Sequence, residues 1–182
     1  MKTLVLYFSH SGNNEYLARH LAACVEGDLE AIRPRVNFFV ALILFSLMRF
    51  GPGNKPLSRD VGSYDRIVLC GPVWMGQLLA PMRDVIARYR KSIRRLGFAT
   101  CCGSSDEHKD GGFGYEKVFR QVRASSRGIP TCCGAFPIVL TLPEELRTND
   151  DAVMKARLNK EHFSDAALQE RLDTFLKELA AL

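Results

Sequence analysis

The chain has 182 residues, 47% hydrophobic and 25% charged, which is enough for one domain with a sizeable core or for two very small ones. Its net charge of +5 is too small, and its apolar content too high, for a disordered chain. The sequence has no Gly-X-Y period, which excludes a collagen-like protein, and six cysteines are too few for a small disulfide scaffold.

Five short apolar runs predict buried β-strands. The first spans residues 2–8, and a weaker second run spans residues 29–33. The third run, residues 67–70, ends at a Gly-Pro pair, and the fourth spans residues 96–102. The fifth run, residues 131–140, carries a proline late in its length.

Apolar residues at helical spacing separate most of these runs and predict four amphipathic helices. Pro81 falls in the first turn of the second helix, where its missing N–H is tolerated. Ser164 is a candidate N-cap for the last helix. The stripes are Leu17, Leu21, Cys24 and Val25; Leu79, Met82, Val85, Ile86 and Tyr89; Tyr115, Val118, Phe119 and Val122; and Leu168, Leu172, Phe175, Leu176 and Leu179.

Strands that alternate with helices predict an α/β fold, a doubly wound parallel sheet of five strands with helices on both faces. We expect one such domain over residues 1–182. Ligands of these sheets bind beyond the carboxyl ends of the strands, where the strand order changes direction. The loops after Phe8, Cys70 and Cys102 are therefore the candidate site.

The first of these loops combines hydroxyl and amide side chains with a helix N-terminus. A helix N-terminus carries partial positive charge and free N–H groups, so it can hold a phosphate without Lys or Arg. An ordinary N-cap turn is the alternative, because Ser, Gly and Asn are favoured there. The G-x-x-x-x-G-K-[ST] and G-x-G-x-x-G phosphate loops are both absent. The loop residues are Ser9, His10, Ser11, Gly12, Asn13 and Asn14.

The second loop, residues 71–77, holds the only tryptophan of the chain, Trp74. A tryptophan between proline and glycine at the ligand edge of a sheet is well placed to stack on a flat ring. The alternative is that Trp74 folds back onto the core.

Two pairs of adjacent cysteines, Cys101-Cys102 and Cys132-Cys133, lie near the ends of apolar runs. The favoured interpretation is that one thiol of each pair fills the core as a small hydrophobic group. A redox-active or metal-binding role is the alternative, although no His spacing accompanies them.

Residues 36–50 are almost entirely apolar and form the longest such run. A helix packed on the surface of its own domain is the first interpretation, and a homodimer interface is the second. Peripheral membrane contact is the third and least favoured, suggested by the flanking Arg33, Arg35 and Arg49. At 13 residues, the run from Val36 to Met48 is too short for a spanning helix.

A basic cluster accompanies the second predicted helix and its exit. A solvated helix face is the plain interpretation, and an acidic partner or a phosphorylated reductant such as NADPH is the alternative. No nucleic-acid partner is expected, because no recognition motif accompanies the cluster. Its members are Arg83, Arg88, Arg90, Lys91, Arg94 and Arg95.

Three segments in this order resemble the flavodoxin family. They are residues 9–14, residues 64–76 and residues 98–104, and the resemblance covers nearly the whole chain. More narrowly, the chain is similar to a branch with an extra helical segment between the second and third strands, here at about residues 34–57.

The resemblance implies FMN bound without covalent attachment. Residues 9–14 would hold its phosphate, the second loop would run along the isoalloxazine ring, and the third would approach the pyrimidine edge with backbone donors. No catalytic side chain and no metal site are expected, because the flavin carries the redox chemistry. The implied contacts beyond the first loop are Pro72, Val73, Trp74, Met75, Gly76, Cys102, Gly103 and Ser104.

Three features depart from the family pattern. His10 lies inside the phosphate loop, where we expect its side chain to turn to solvent. Asn14 replaces the usual hydroxyl residue at the end of that loop. No aromatic residue follows Cys102 until Phe113, so one flavin face is expected to be open or covered by Phe113 or another subunit.

Three functions follow from these expectations. The first is an FMN-dependent electron-transfer protein that docks with a redox partner protein. The second is an NAD(P)H-dependent FMN reductase of quinones or similar acceptors, and the third is a flavin-free interaction domain. The opening of the sequence has no secretory-signal pattern, so a cytoplasmic location with reduced thiols is expected.

Overall fold

The computed structural model describes all 182 residues. Its centre is a five-stranded sheet with the order β2-β1-β3-β4-β5, in which every neighbouring pair is parallel. The predicted doubly wound α/β fold is confirmed. The strands are β1 (Thr3–Tyr7), β2 (Asp28–Ala31), β3 (Arg66–Cys70), β4 (Leu96–Cys102) and β5 (Thr131–Pro137).

Six helices accompany the sheet and divide its core into two layers. Apolar residues of α2, α3 and α4 pack on one face with Leu4, Leu6 and Phe98. Apolar residues of α1 and α6 pack on the other face with Val5 and Ala99, because successive strand residues point to opposite faces. The helices are α1 (Asn13–Cys24), α2 (Phe39–Leu47), α3 (Ala80–Tyr89), α4 (Tyr115–Ser126), α5 (Asp150–Lys155) and α6 (Ala166–Ala181).

Two local predictions were wrong. Strand β5 ends at Pro137 and continues as a 3-10 turn over Ile138–Thr141, because Pro137 pairs with Cys102, the last residue of β4, and no strand partner lies beyond it. The cap of α6 is Asp165, not Ser164, because the Asp165 carboxylate accepts a hydrogen bond from the backbone N–H of Ala167 at 2.9 Å.

The short helix α5 had no apolar stripe to predict it. It is specified instead by Asn149, whose side chain accepts a hydrogen bond from the N–H of Ala152. Helix α2 lies between β2 and β3, within the segment where the extra helix was expected. None of the helices is long and apolar enough to cross a membrane.

The adjacent cysteines lie on alternating sides of their strands. Cys101 packs with the α1–α6 layer and Cys102 with the α2–α4 layer. Burial raises the pKa of the Cys102 and Cys132 thiols to about 12, which keeps both protonated at neutral pH. This placement is that of small apolar side chains in the core.

Candidate functional site

The loops that follow β1, β3 and β4 meet at the carboxyl edge of the sheet. From β1 the sheet continues to β2 on one side and to β3 on the other, so the strand order changes direction there. A crevice of this kind is where ligands bind in open α/β sheets.

Helix α1 begins at this edge without a side-chain cap. The N-cap residue of α1 is Gly12, which has a φ of 92°. The N–H of Gly12 donates to Ser9 Oγ at 3.1 Å. The first-turn N–H groups of Asn13, Asn14 and Glu15 have no acceptor within the helix. A Cβ built on Gly12 would meet no heavy atom within 4 Å, so the space in front of the turn is open. This arrangement fits a phosphate group.

The amide side chains of Asn13 and Asn14 are committed to the protein itself. Asn14 Nδ2 donates to Cys101 O at 3.0 Å, and the Cys101 N–H donates to Asn14 Oδ1 at 2.8 Å. Asn13 makes the same two-way pair with Ala156 O and Leu158 N, at 3.1 Å each. Only the backbone of these two residues is therefore available to a ligand.

The second loop turns sharply at Met75 and Gly76. The Gln77 N–H donates to Trp74 O at 3.0 Å across the turn, and both central residues have positive φ, 51° and 61°. A methionine in this conformation is strained, which is typical of functional loops. A Cβ on Gly76 would lie 2.2 Å from Gly112 O, so only glycine fits there.

Gln121 on α4 holds this turn in place. Its Nε2 donates to Gly76 O at 2.8 Å, and its Oε1 accepts from the Leu78 N–H at 3.0 Å. No sequence pattern indicates this role of Gln121, because the residue lies 45 positions beyond Gly76.

Trp74 is the centre of an aromatic cluster at the mouth of the crevice. Its ring centroid lies 4.7 Å from Phe39, 5.5 Å from His10 and 6.1 Å from Phe8. Because Phe8 is buried, Trp74 contacts the core on one side, while the His10 contact joins it to the first loop. The expected solvent-facing His10 is exposed but packs against two aromatic rings, and the role of Phe39 was not predicted.

The third loop leaves β4 at Cys102. The Cys102 Sγ lies 3.8 Å from Ser104 O, and Ser104 Oγ donates to Phe113 O at 3.4 Å. Gly103 is exposed. The Phe113 side chain is 66% exposed and stacks on no other ring.

Asp106 anchors the third loop to two helices. The Tyr115 hydroxyl donates to its Oδ1 at 2.5 Å, and Arg171 of α6 forms an ion pair with its other oxygen. Burial and the neighbouring Asp106 raise the pKa of Tyr115, so the phenol stays protonated. Arg171 lies 65 positions from Asp106, and no sequence spacing predicts the pair.

A cavity of about 600 Å³ opens beside the third loop, lined by residues 103–108 and by parts of residues 139–153. Its lining includes four carboxylates, which disfavour a phosphate there. The first loop has no such cluster of carboxylates, and its one first-turn acid, Glu15, is paired with Arg19. The carboxylates of the cavity belong to Asp106, Glu107, Glu144 and Asp150.

Comparison with known proteins gives a match for the fold. No protein-family model and no curated protein sequence matches the chain. A solved flavoprotein from Lactobacillus acidophilus, in complex with FMN, is 18% identical, with 74% of this chain and 91% of that one covered and a TM-score of 0.59. A putative flavoprotein from Bacteroides eggerthii is 18% identical, with 96% and 98% covered and a TM-score of 0.65.

A third solved structure, oxidised flavodoxin 1 from Bacillus cereus, is 13% identical, with 100% of this chain and 99% of that one covered and a TM-score of 0.50. The chain has the flavodoxin-like fold. The resemblance seen in the three loops is confirmed at the level of the fold.

Contacts among the loops and with strand β4 hold the flavodoxin-like crevice together. His10 and Trp74 join the first loop to the second, and Asn14 joins the first loop to the end of β4. The close approach of Gly76 to Gly112 joins the second loop to the third. Pro72 is buried and Val73 packs against the core, so both act as supports for the Trp74 turn.

Proposed function

We propose that the chain binds FMN non-covalently and transfers electrons through it. The observation that carries this proposal is the uncapped N-terminus of α1, open at Gly12, beside the Trp74 turn at the edge where the strand order reverses. Solved structures of similar fold include a flavoprotein in complex with FMN and a flavodoxin, which supports the same ligand for this crevice.

The phosphate would lie at the first turn of α1. Backbone N–H groups of residues 13–15 would donate to it, and the hydroxyls of Ser9 and Ser11 lie in the same loop. Glu15, the one acid in this turn, is paired with Arg19 at 2.7 Å, which reduces its repulsion of an anion.

The ring of FMN would lie along the Trp74 turn, with the backbone of Gly103 and Ser104 near its pyrimidine edge. When bound, FMN supplies one-electron and two-electron redox chemistry. The residues of the chain orient it: Gln121 holds the Met75-Gly76 turn, and Asp106 holds the third loop.

A second candidate function is an FMN-dependent reductase that takes hydride from NAD(P)H and reduces a quinone or similar acceptor. The exposed Phe113 favours it, because no aromatic ring of the third loop is held in place to cover the second flavin face. An open face gives room for a nicotinamide or a quinone to stack.

An absorption spectrum tests FMN binding directly. The purified protein is incubated with FMN, and unbound FMN is removed by gel filtration. The absorption spectrum of the protein is then recorded, and flavin bands that correspond to one FMN per chain are expected. Ser11→Glu places a carboxylate at the exposed phosphate loop and should abolish retention. Ser164→Glu, at an exposed turn before α6 that belongs to none of the three loops, is the matched control and should retain FMN.

A colourless wild-type protein after this treatment would refute FMN binding and leave the interaction-domain alternative. If FMN is retained, steady oxidation of NADPH by the protein alone separates the two redox functions. Turnover with a quinone would favour the reductase, and its absence would favour electron transfer to a partner protein.

A further inference from the structure

Helix α2 is fixed on α3 by polar contacts. Ser46 is fully buried, its Oγ donates to Leu42 O at 2.6 Å, and the same oxygen accepts from the Ala80 N–H at 2.9 Å. Arg83 of α3 donates to Ser46 O at 3.0 Å. These contacts hold one side of α2 inward and leave the opposite side facing outward.

The outward side of α2 is apolar. Val40, Leu44, Leu47 and Met48 recur at helical spacing and are 76%, 51%, 51% and 64% exposed. Phe38 and Phe50, at the two ends of the helix, are also exposed. We call these six residues the apolar stripe. A contiguous exposed patch of this kind marks a contact surface.

The segment that carries the apolar stripe also carries the net charge of the protein. Residues 31–59 contain five basic residues and no Asp or Glu. Removing these five from the 25 lysines and arginines of the chain leaves 20, equal to its 20 acidic residues. Only Arg59 of the five forms an ion pair, with Asp28 at 3.1 Å. The others are Arg33, Arg35, Arg49 and Lys55.

A basic groove borders the apolar stripe at Arg49. It has a volume of about 460 Å³ and is lined by Arg49, Arg83, Arg90 and Arg127, with no carboxylate among its lining residues. None of the four arginines forms an ion pair. Helices α2, α3 and α4 cover the same face of the sheet, so the groove and the apolar stripe belong to one side of the molecule.

We propose that this side docks on the surface of a bilayer that contains anionic phospholipids. The nine residues of α2 span about 14 Å, too short for a bilayer core of about 30 Å, so the helix lies parallel to the membrane plane. The apolar stripe enters the boundary between headgroups and acyl chains. The flanking arginines and the basic groove face the lipid phosphates.

Charge favours this occupant over a second copy of the chain. A symmetric dimer through the apolar stripe would bring together two segments that each carry the full +5 excess. An anionic lipid surface instead attracts this excess and accepts the apolar side chains without needing shape complementarity.

Vesicle co-sedimentation tests the proposal and does not depend on flavin. The full chain is mixed at low salt with vesicles of phosphatidylcholine alone or with about one third phosphatidylglycerol. We expect sedimentation with the anionic vesicles only, weakened by added salt because screening reduces the attraction. Leu44→Gln/Leu47→Gln should weaken this binding at least tenfold with little change in thermal stability, because about half of each side chain is already exposed to water.

Two matched controls accompany the double variant. Met154→Gln removes an apolar side chain on α5 that is even more exposed, at 76%, and this variant should bind as wild type does. Arg49→Gln should weaken binding several-fold, whereas Arg19→Gln, the same charge change on α1 at the other face of the sheet, should not.

Absence of sedimentation with both vesicles would overturn the proposal. Undiminished binding of the double variant would overturn it as well, since the apolar stripe would then have no part in the contact. A concentration-dependent dimer in solution that the double variant abolishes would assign the surface to a second copy instead.

Discussion

At the first loop, which is the proposed phosphate end of the site, buried amide side chains fix the loop. At the Trp74 turn, which is the proposed ring end, the partly exposed Phe39 and Met75 lie beside Trp74. Asn13 and Asn14 are at most 9% exposed and each makes two hydrogen bonds to distant backbone. Phe39 and Met75 at the ring end are 46% and 47% exposed.

This difference separates what backbone groups supply from what side chains supply. An uncapped helix N-terminus needs only backbone groups and a loop held still, which buried amides provide. The ring end depends on side chains and on a strained turn, and its residues come from α2, α4 and three loops. Changes to the exposed and half-buried side chains at the ring end should therefore alter flavin affinity more selectively than changes to the buried amides at the phosphate end.

The largest effect is expected for Gly76→Ala. The new Cβ would overlap Gly112 O, 2.2 Å away, at a backbone φ of 61°. Overpacking and conformational strain together should destabilise the protein by about 2–5 kcal/mol, measured by urea or thermal unfolding. Gly128→Ala is the control, since its φ is 90° but its Cβ would meet nothing within 4 Å. Equal losses for both variants would contradict the close approach of the second and third loops.

Asn14→Ala should weaken the phosphate end through the fold. It leaves the backbone N–H and C=O of Cys101 without their partners in a buried place, at a cost of about 2–4 kcal/mol in unfolding free energy. FMN affinity should fall with it, because the first turn of α1 loses its support. Arg19→Ala, on an exposed turn of the same helix, should change stability by less than about 0.5 kcal/mol.

Trp74→Leu should act mainly on the ring end. Because Trp74 is only half-buried, the fold should tolerate leucine, while the lost ring contact should weaken FMN binding about tenfold. Quenching of flavin fluorescence in a titration measures this affinity. Phe113→Leu is the comparison variant, and a loss equal to that of Trp74→Leu would show that Phe113 covers the flavin as well.

The smallest effect is expected for the pH dependence of stability, through His20 on α1. His20 stacks on Phe163 with ring centroids 4.1 Å apart, and burial lowers its pKa below the ordinary value of 6.5. As the pH falls, His20 therefore takes up a proton in the unfolded chain before it does so in the folded protein. The stability that neutral His20 contributes is complete well above pH 6.5. It declines as the pH falls from 6.5 to the lowered pKa of the folded protein. His20→Gln should make the free energy of unfolding less dependent on pH between pH 7 and 5. A variant whose unfolding free energy falls as steeply as that of the wild type would contradict a contribution from buried His20.

The regular fold and the edge of the sheet at which the three loops meet were predictable from the sequence, because apolar periodicity reports burial directly. Strand β4 was predicted at Leu96–Cys102, as observed, and the three loops follow from strand ends. The supports of the site were not predictable, since Gln121, Arg171 and Ala156 reach it from far along the chain through polar contacts that leave no periodic signal.

The cap of α6 and the end of β5 were missed for a different reason. Ser164 and Asp165 are both good capping residues, but Ser164 is the last residue of the 3-10 turn Glu161–Ser164, so Asp165 becomes the cap. Strand β5 ends at Pro137 because its partner Cys102 is the last residue of β4. The pairing of the two strands decides this end, and the sequence of β5 alone does not show the pairing.

The most direct test of the account is a comparison of FMN with riboflavin, which lacks the phosphate, in calorimetric titrations of the same protein. Phosphate contacts with the first turn of α1 predict that FMN binds at least about 100-fold more tightly. Equal affinities for the two ligands would contradict the assignment of residues 9–14 as the phosphate end of the site.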